Sequence, residues 1–556
     1  MTLILQLLCS VALALSIESA AAEENAARQG WSDDLRDAFY FTPQGSHLVP
    51  YAWAVALEVA DGEQLFFAPA SIEKFGYLAA PGPASARNPD GLPIGFVREP
   101  APGSAVGDWL GMNCAACHTG ELVYKEARIR VDGAPTLADF QGFLKGLASA
   151  FDALLSEPAK FERFAARVGG ADTERPVPLH DQVEGYAVGL RQLVASGWTA
   201  EPSGFGRLDA FGHILIAVAG RALLEPQNYR APDAPVSYPF LWTTAQQRYV
   251  QWNGVAGNPL DRNVGQVLGV FGQMNLRAEG ENRFRTTVLA DRLLEMEEWV
   301  AALEAPKWSE TLPEPVQDKV ERGMDLYAEN CQGCHRDQRY EYAPPEHAAG
   351  QRTLQVTMIE GATVGTDITM LANFYRRKAL PGPFAESGPA KPISAGALLA
   401  TIIKGVVQQD FADRDVKEEQ QIIYYGGRLD EHKEPLRGWP GKPSYKAGPL
   451  AGIWATGPFL HNGSVPTLYD LLSPEAERPK QFWVGSTRFD PVKVGFLSAA
   501  SDLTEAERAR LFLFDTSRRG NANTGHAYGA GLSHEQKLEL IEYLKTLTGP
   551  PPVPYR

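Results

Sequence analysis

A mainly α fold, set out as two domains with long loops and an irregular N-terminal extension, is predicted by three observations. Two Cys-x-x-Cys-His stretches, Cys114–His118 and Cys331–His335, stand 217 positions apart (331 minus 114), which leaves each room for a domain of its own. Apolar residues recur at spacings of three and four through a series of stretches. Glycine (53) and proline (41) are plentiful, which calls for long ordered loops between those helices.

The chain opens on an expected secretory signal over residues 1–22. Leu3 to Leu15 are mostly apolar, and Ala20-Ala21-Ala22 precede Glu23 as a small-residue cleavage site. No Lys or Arg precedes the apolar run, and the leucines before Cys9 argue against a lipoprotein signal. The run is short for a membrane span, and no other apolar stretch of about 18 residues follows. A soluble periplasmic or secreted protein without a transmembrane segment is therefore expected.

Residues 23–307 are expected to form the N-terminal domain with its cap and insertions, 308–315 a linker broken by Pro313 and Pro315, and 316–556 the C-terminal domain. Within 23–105 the sequence is irregular, with strand-like runs such as Ala52 to Val59. Its aromatics (Trp31, Phe39, Tyr40, Phe41, Tyr51, Trp53) suit a cap. Helical periodicity follows at Leu137–Leu155, Val183–Leu193, Leu208–Leu224 (broken by glycines) and Thr287–Leu303. Between the last two, Trp252-Asn253-Gly254 to Arg262-Asn263 reads as loop. In the second half Val316–Ala328 leads into Cys331, Ser394–Val407 is a further helix, and Ser533 caps a last helix that Gly549-Pro550 stops.

The two motifs carry the chemistry. Cys-x-x-Cys-His is the attachment pattern of c-type haem: two thiols bond the porphyrin and the histidine becomes the iron's proximal ligand. A redox dithiol, a structural disulfide or half of a zinc site are the alternatives. The dithiol leaves the histidine after each second cysteine unexplained, and a four-cysteine zinc site leaves both. Two covalent haems are thus expected, on Cys114, Cys117 and His118 and on Cys331, Cys334 and His335, each in a cytochrome c-like domain. An excess of 67 acidic over 52 basic residues argues against nucleic acid as a partner.

What each iron does depends on its second axial ligand, since a closed iron passes electrons and an open one binds O₂ or peroxide. For the C-terminal haem two histidines stand out: His526, just before the last helix, and His461, in the loop Gly457-Pro458-Phe459-Leu460-His461-Asn462-Gly463-Ser464. For the N-terminal haem, Thr119 to Leu179 contains no histidine and no methionine; His180 and His213 come next and read as structural. That iron is expected to keep an open position.

The run Tyr445-Lys446-Ala447 through Ile453-Trp454-Ala455-Thr456, then Leu460-His461-Asn462-Gly463-Ser464-Val465-Pro466-Thr467-Leu468, resembles the bacterial dihaem cytochrome c peroxidase superfamily. The nearest likeness is to its rubber-oxygenase-like branch, which includes dihaem fatty-acid dioxygenases. It extends over both motifs, the Gln44-Gly45-Ser46 region, Gln251-Trp252-Asn253-Gly254 and the C-terminal third. The resemblance implies that His526 is the distal ligand of the C-terminal haem, with His461 near the haem edge. It implies distal walls from Leu208–Phe211 and Phe240–Phe271, and Trp242 between the haems as a catalytic aid to electron transfer beside His118. Arg207, Arg262 and Asn263 are candidates for haem propionates.

Three functions compete on this reading. The first is an oxygenase that uses O₂ at the N-terminal haem to oxygenate an unsaturated lipid or isoprenoid. The second is a hydrogen peroxide reductase fed by a small redox protein; it wants a distal acid–base group that the spacing does not supply. The third is an electron-transfer cytochrome with both irons closed. Calcium is admitted as a further cofactor.

Overall fold

A computed structural model describes residues 24–27, 29–169, 177–197, 202–335, 353–385, 391–551 and 555. The signal read in residues 1–22, with Cys9, lies outside the described residues. The fold is mixed rather than mainly α, with 40 % helix and 13 % strand. The strands are short, and the two three-stranded sheets among the described residues lie beside the N-terminal motif.

Two small sheets flank that motif. Val49–Pro50, Trp109–Met112 and Phe96–Glu99 form an antiparallel sheet with Trp109–Met112 in the middle. Thr119–Tyr124 and Ala127–Asp132 form a hairpin, and Glu24–Ala26 adds to it in parallel. Cys114–His118 is the link between the two sheets. The hairpin escapes a sequence reading because its turn lacks the usual glycine or asparagine: Lys125 itself takes the left-handed conformation, with φ 54°. The strand-like run Ala52 to Val59 is also corrected. Its start is a helical turn, Tyr51–Ala54, and only Glu58 makes a strand-like bridge, to Leu65.

The expected helices are present as Phe140–Ser156, Leu179–Gly197, Ala290–Ala301, Gln317–Asn330, Ala395–Asp413 and His534–Lys545. Ala210–Leu215 is α-helical and continues as a π-helix, Ile216–Ala222, so the glycine-broken stretch widens rather than stops. The stretch expected as loop up to Asn263 turns helical at Pro259. Asn258 accepts the Asp261 N–H as N-cap and Pro259 takes the first helical position. Ala395–Asp413 packs on this Pro259–Gly269 helix, where Gly265 leaves room for Ile403.

The C-terminal half has the cytochrome c-like crossing. The helix Gln317–Asn330 leads straight into Cys331 and crosses His534–Lys545 at Gly323, where a Cβ would stand 2.1 Å from the Glu539 carbonyl oxygen. Tyr327 packs on Tyr543 at 5.3 Å and donates its hydroxyl to the His335 carbonyl at 2.6 Å. Ser533 caps the last helix through a capping box with Gln536. One apolar core joins Ala115 and Trp242 of the first half to Tyr327, Trp454 and Leu544 of the second. The Trp308–Pro315 stretch is irregular, and Trp308 is packed on Trp454 at 5.3 Å. No helix among the described residues is long and apolar enough to cross a membrane.

Candidate haem sites

The two motifs fold into the same local turn. His118 N–H donates to the Cys114 carbonyl at 3.0 Å, and His335 N–H to the Cys331 carbonyl at 2.9 Å. None of the four motif cysteines is in a disulfide. Burial pushes the Cys114 thiol up to about 11 and the Cys117 thiol up to about 12, the reverse of a reactive dithiol.

The C-terminal site is a cavity of about 230 Å³ whose walls include Cys331, Cys334, His335, His526, His461 and Lys446. His335 Nδ1 lies 2.8 Å from the Gly448 carbonyl. That contact requires Nδ1 to carry the proton, which frees Nε2 as a metal ligand and fixes the ring. Across the cavity stands His526, with ring centroids 6.3 Å apart. Two imidazoles bonded to opposite faces of one metal, at about 2.0 Å per bond and about 1.1 Å from nitrogen to ring centre, have centroids about 6.2 Å apart. The pair thus fits an iron between them.

His526 is held by its backbone. Its φ of 47° is left-handed, and its N–H donates to the Val364 carbonyl at 2.8 Å. Gly525 before it has φ 70°, and a Cβ there would meet the Gly365 carbonyl carbon at 2.2 Å. Arg478, 2 % exposed, donates to the carbonyls of Asn523 (2.6 Å), Gly525 (2.8 Å) and His526 (3.1 Å). Burial, with help from His335 and Arg478, pushes the His526 imidazole down to about 4, so it is neutral at pH 7 and able to bind a metal.

His461 lies in the same cavity wall but faces Tyr445, not His335. The rings stack at 4.1 Å and His461 Nε2 is 3.0 Å from the Tyr445 hydroxyl. Because that hydroxyl donates to the Asp367 carbonyl, His461 Nε2 is the donor toward it.

At the N-terminal site Asn113 caps the motif turn, accepting the Ala115 N–H at 2.9 Å and donating to the Phe39 and Thr42 carbonyls. Cys114 Sγ lies 3.6 Å from Gln44 Oε1. Burial pushes the His118 imidazole down to about 4; the Pro239 carbonyl opposes this, yet Nδ1 has no partner in hydrogen-bond geometry. An orphaned, neutral, buried imidazole beside two free thiols fits a haem's proximal face. Its ring neighbour is Tyr238, at 6.2 Å. Among the described residues no histidine ring stands opposite it: His47 stacks on Trp109, His213 meets Phe140, and His180 is exposed beside Asp181.

Trp242 lies between the two sites. It is 0 % exposed, stacks on Phe240 at 4.8 Å and donates its indole N–H to the Ala451 carbonyl at 2.7 Å. Leu241 N–H donates to the Gly133 carbonyl and Gly133 N–H to the His118 carbonyl, both at 2.9 Å. The His118 carbonyl is therefore linked through Gly133 and Leu241 to the adjacent Trp242, whose indole reaches Ala451 in the loop whose Gly448 anchors His335.

Residues 444–484 match the family model described as RoxA-like, cytochrome c-like. The chain is 34 % identical to "Uncharacterized protein y4iJ" of Sinorhizobium fredii over 93 % of its own length and 92 % of the relative's. It belongs to the family of that protein. A second Sinorhizobium fredii protein, "Uncharacterized protein y4iM", is 39 % identical over 19 % of this chain and 28 % of its own. The RoxA-like segment supports the rubber-oxygenase-like cytochrome relationship and brings with it covalently bound haem.

The arginines named from sequence are otherwise engaged. Arg207 donates to the Ser203 and Asn462 carbonyls and to Asn521 Oδ1, so it braces loops. Arg262 and Asn263 both donate to Glu297. A three-residue acidic or histidine grouping among the described residues, His180, Asp181 and Glu184, is wholly exposed. No role is legible in the sequence for Gly448, Arg478 or Lys446, although Lys446 and Gly448 lie in the run that carries the resemblance: a carbonyl acceptor is invisible there, and one basic residue looks like any other.

Proposed function

We propose that this protein is an exported oxidoreductase with two covalent c-type haems, which uses O₂ at the N-terminal site to oxygenate an unsaturated lipid or isoprenoid. When bound, haem supplies a redox iron that passes electrons if both faces are taken and can take up O₂ if one is left open. The observation that carries the reading is the asymmetry of the two histidines. His526 stands 6.3 Å across from His335, while no described histidine ring stands across from His118. Cys114 and Cys117 tether the working group, and His118 orients it from below. Tyr238, whose ring lies 6.2 Å from that of His118, gives that side an aromatic neighbour that limits water. Trp242, stacked on Phe240, joins this side to the electron-holding site at His335 and His526.

Electron paramagnetic resonance of the purified holoprotein tests this, with CO added after reduction. One low-spin and one high-spin haem, with a single CO bound per chain, is expected. Two low-spin haems indifferent to CO would make the protein an electron carrier. Oxygen uptake with an unsaturated lipid is expected; oxidation of a reduced cytochrome driven by peroxide would move the reading to a peroxidase. His118→Ala should bring turnover to background while the low-spin signal persists, and wild-type turnover in that variant would refute the N-terminal site as the working one.

A further inference from the structure

Lys446 is a cation in a place that does not complete it. It belongs to the strand Ser444–Ala447, which pairs with Thr357–Glu360, and its backbone N–H donates to the Trp252 carbonyl at 2.8 Å. Its side chain lines the cavity that holds His335 and His526. The ammonium meets one polar partner, Gln247 Oε1. Gln247 is itself fixed, 1 % exposed, with Nε2 donating to Thr243 Oγ1 at 3.0 Å.

No carboxylate reaches this ammonium among the described residues; the charged group that bears on it is another cation, Arg262. Burial, with Arg262, pushes Lys446 down to about 7. The wider polar core repeats the imbalance. Arg428, deep in the protein, donates to the Gln247 and Ala245 carbonyls, and Arg262 is paired with Glu297. The carboxylate of Glu297 thus bears on Arg262 and Arg428 but not on Lys446. A buried ammonium lacking a counter-ion is costly, so the site suits an anion that enters with a ligand.

We infer that Lys446 binds a propionate of the haem tethered at Cys331 and Cys334, and that this ion pair helps set that haem's reduction potential. The inference rests on the two-haem reading above. Propionates are the anionic groups of haem, and the remaining walls of the cavity are mainly apolar, among them Ile359, Leu450, Ile453 and Phe459. Binding there turns the carboxylate edge toward Gln247 and Thr243, the segment that follows Trp242. A positive charge at that edge favours the electron-rich reduced state, since the gained electron is attracted to it.

The test is a spectroelectrochemical titration of the full-length holoprotein as wild type, Lys446→Met and Lys446→Arg, with haem counted as the pyridine complex. Lys446→Met should keep two haems and the low-spin signal. Its low-spin haem should shift at least tenfold toward the oxidised form, which is 59 mV lower for one electron. Lys446→Arg should stay within threefold of wild type. An unshifted Lys446→Met, or equal shifts in both variants, would overturn the inference, because charge would then not be the cause. Should Lys446→Met lose one haem, Lys446→Arg decides: full haem with a wild-type potential supports the ion pair, and loss in both overturns it. Absence of a low-spin haem in the wild type would instead sink the two-haem reading beneath it.

Discussion

The N-terminal motif turn hangs between two strands, whereas the C-terminal one is launched from a helix. Their internal hydrogen bonds match, yet His335 donates Nδ1–H to Gly448 and faces His526, while His118 has the Pro239 carbonyl near its ring outside strict hydrogen-bond geometry and, among the described residues, no histidine ring opposite. Five residues suffice to tether a haem; the surroundings decide whether its far face is closed. A donated Nδ1–H also raises the basicity of a ligating imidazole, which suits a permanently closed iron. The two surroundings are built by mirrored devices. Arg478 gathers three carbonyls of the loop that carries His526, and Glu99 gathers three N–H groups of the loop that touches Cys114.

The largest effect should come from erasing the asymmetry. His526→Ala removes the ring opposite His335, so the low-spin signal should vanish and electron delivery to the N-terminal site should fall at least tenfold. Resonance spectra and turnover of the same preparation check it. An unchanged low-spin signal would hand the ligand role to His461, despite its stacking on Tyr445.

The asymmetry was half legible in the sequence. The choice of His526 over His461 comes from the family resemblance; both motifs and the helices on either side of the second one follow from residue order, because helical periodicity and Cys-x-x-Cys-His are local patterns. The strands around His118 are not, since Lys125 makes a turn that glycine usually makes, and a strand of four residues such as Trp109–Met112 is too short to show a period. Nor are the acceptors of His335 and Trp242, which are main-chain carbonyls supplied from more than 100 residues away. Arg207, a candidate for a haem propionate, donates to Ser203, Asn462 and Asn521, partners that no local pattern announces.

A middle-sized effect should be confined to the C-terminal side. Gly323→Ala gains helix propensity of up to about 1 kcal/mol but drives a methyl carbon to 2.1 Å from the Glu539 carbonyl oxygen. Overpacking of this kind costs about 1–3 kcal/mol, and here the opposing atom is backbone, so the helices must part. Denaturant unfolding should show a net loss of up to about 2 kcal/mol, with the low-spin haem spectrum broadened and the N-terminal one unaltered. Equal disturbance at both haems would show that the two surroundings are not independent.

The smallest effect tests the N-terminal counterpart. Glu99 is 1 % exposed; its Oε1 accepts from Gln44 and Ser46 at 3.0 Å, and its Oε2 from Gly45 at 2.9 Å. Glu99→Gln sets an NH₂ group against one of those N–H donors, which costs about 1–3 kcal/mol and loosens Gln44 from Cys114. The pH dependence carries more information than the size. Three N–H donors favour the carboxylate, but burial outweighs them and pushes Glu99 up to about 7 from an ordinary 4.5. The folded chain therefore keeps a proton that the unfolded chain gives up above 4.5. Its stabilising contribution is complete below that pH and is lost as the pH rises to about 7. The deficit of Glu99→Gln, read as a melting-temperature difference, should be widest near pH 4.5 and narrow toward 7. A deficit that widens instead would mean that the charged carboxylate is the favoured folded form. The loop beside Cys114 would then be held by an anion, as the loop of His526 is held by the Arg478 cation.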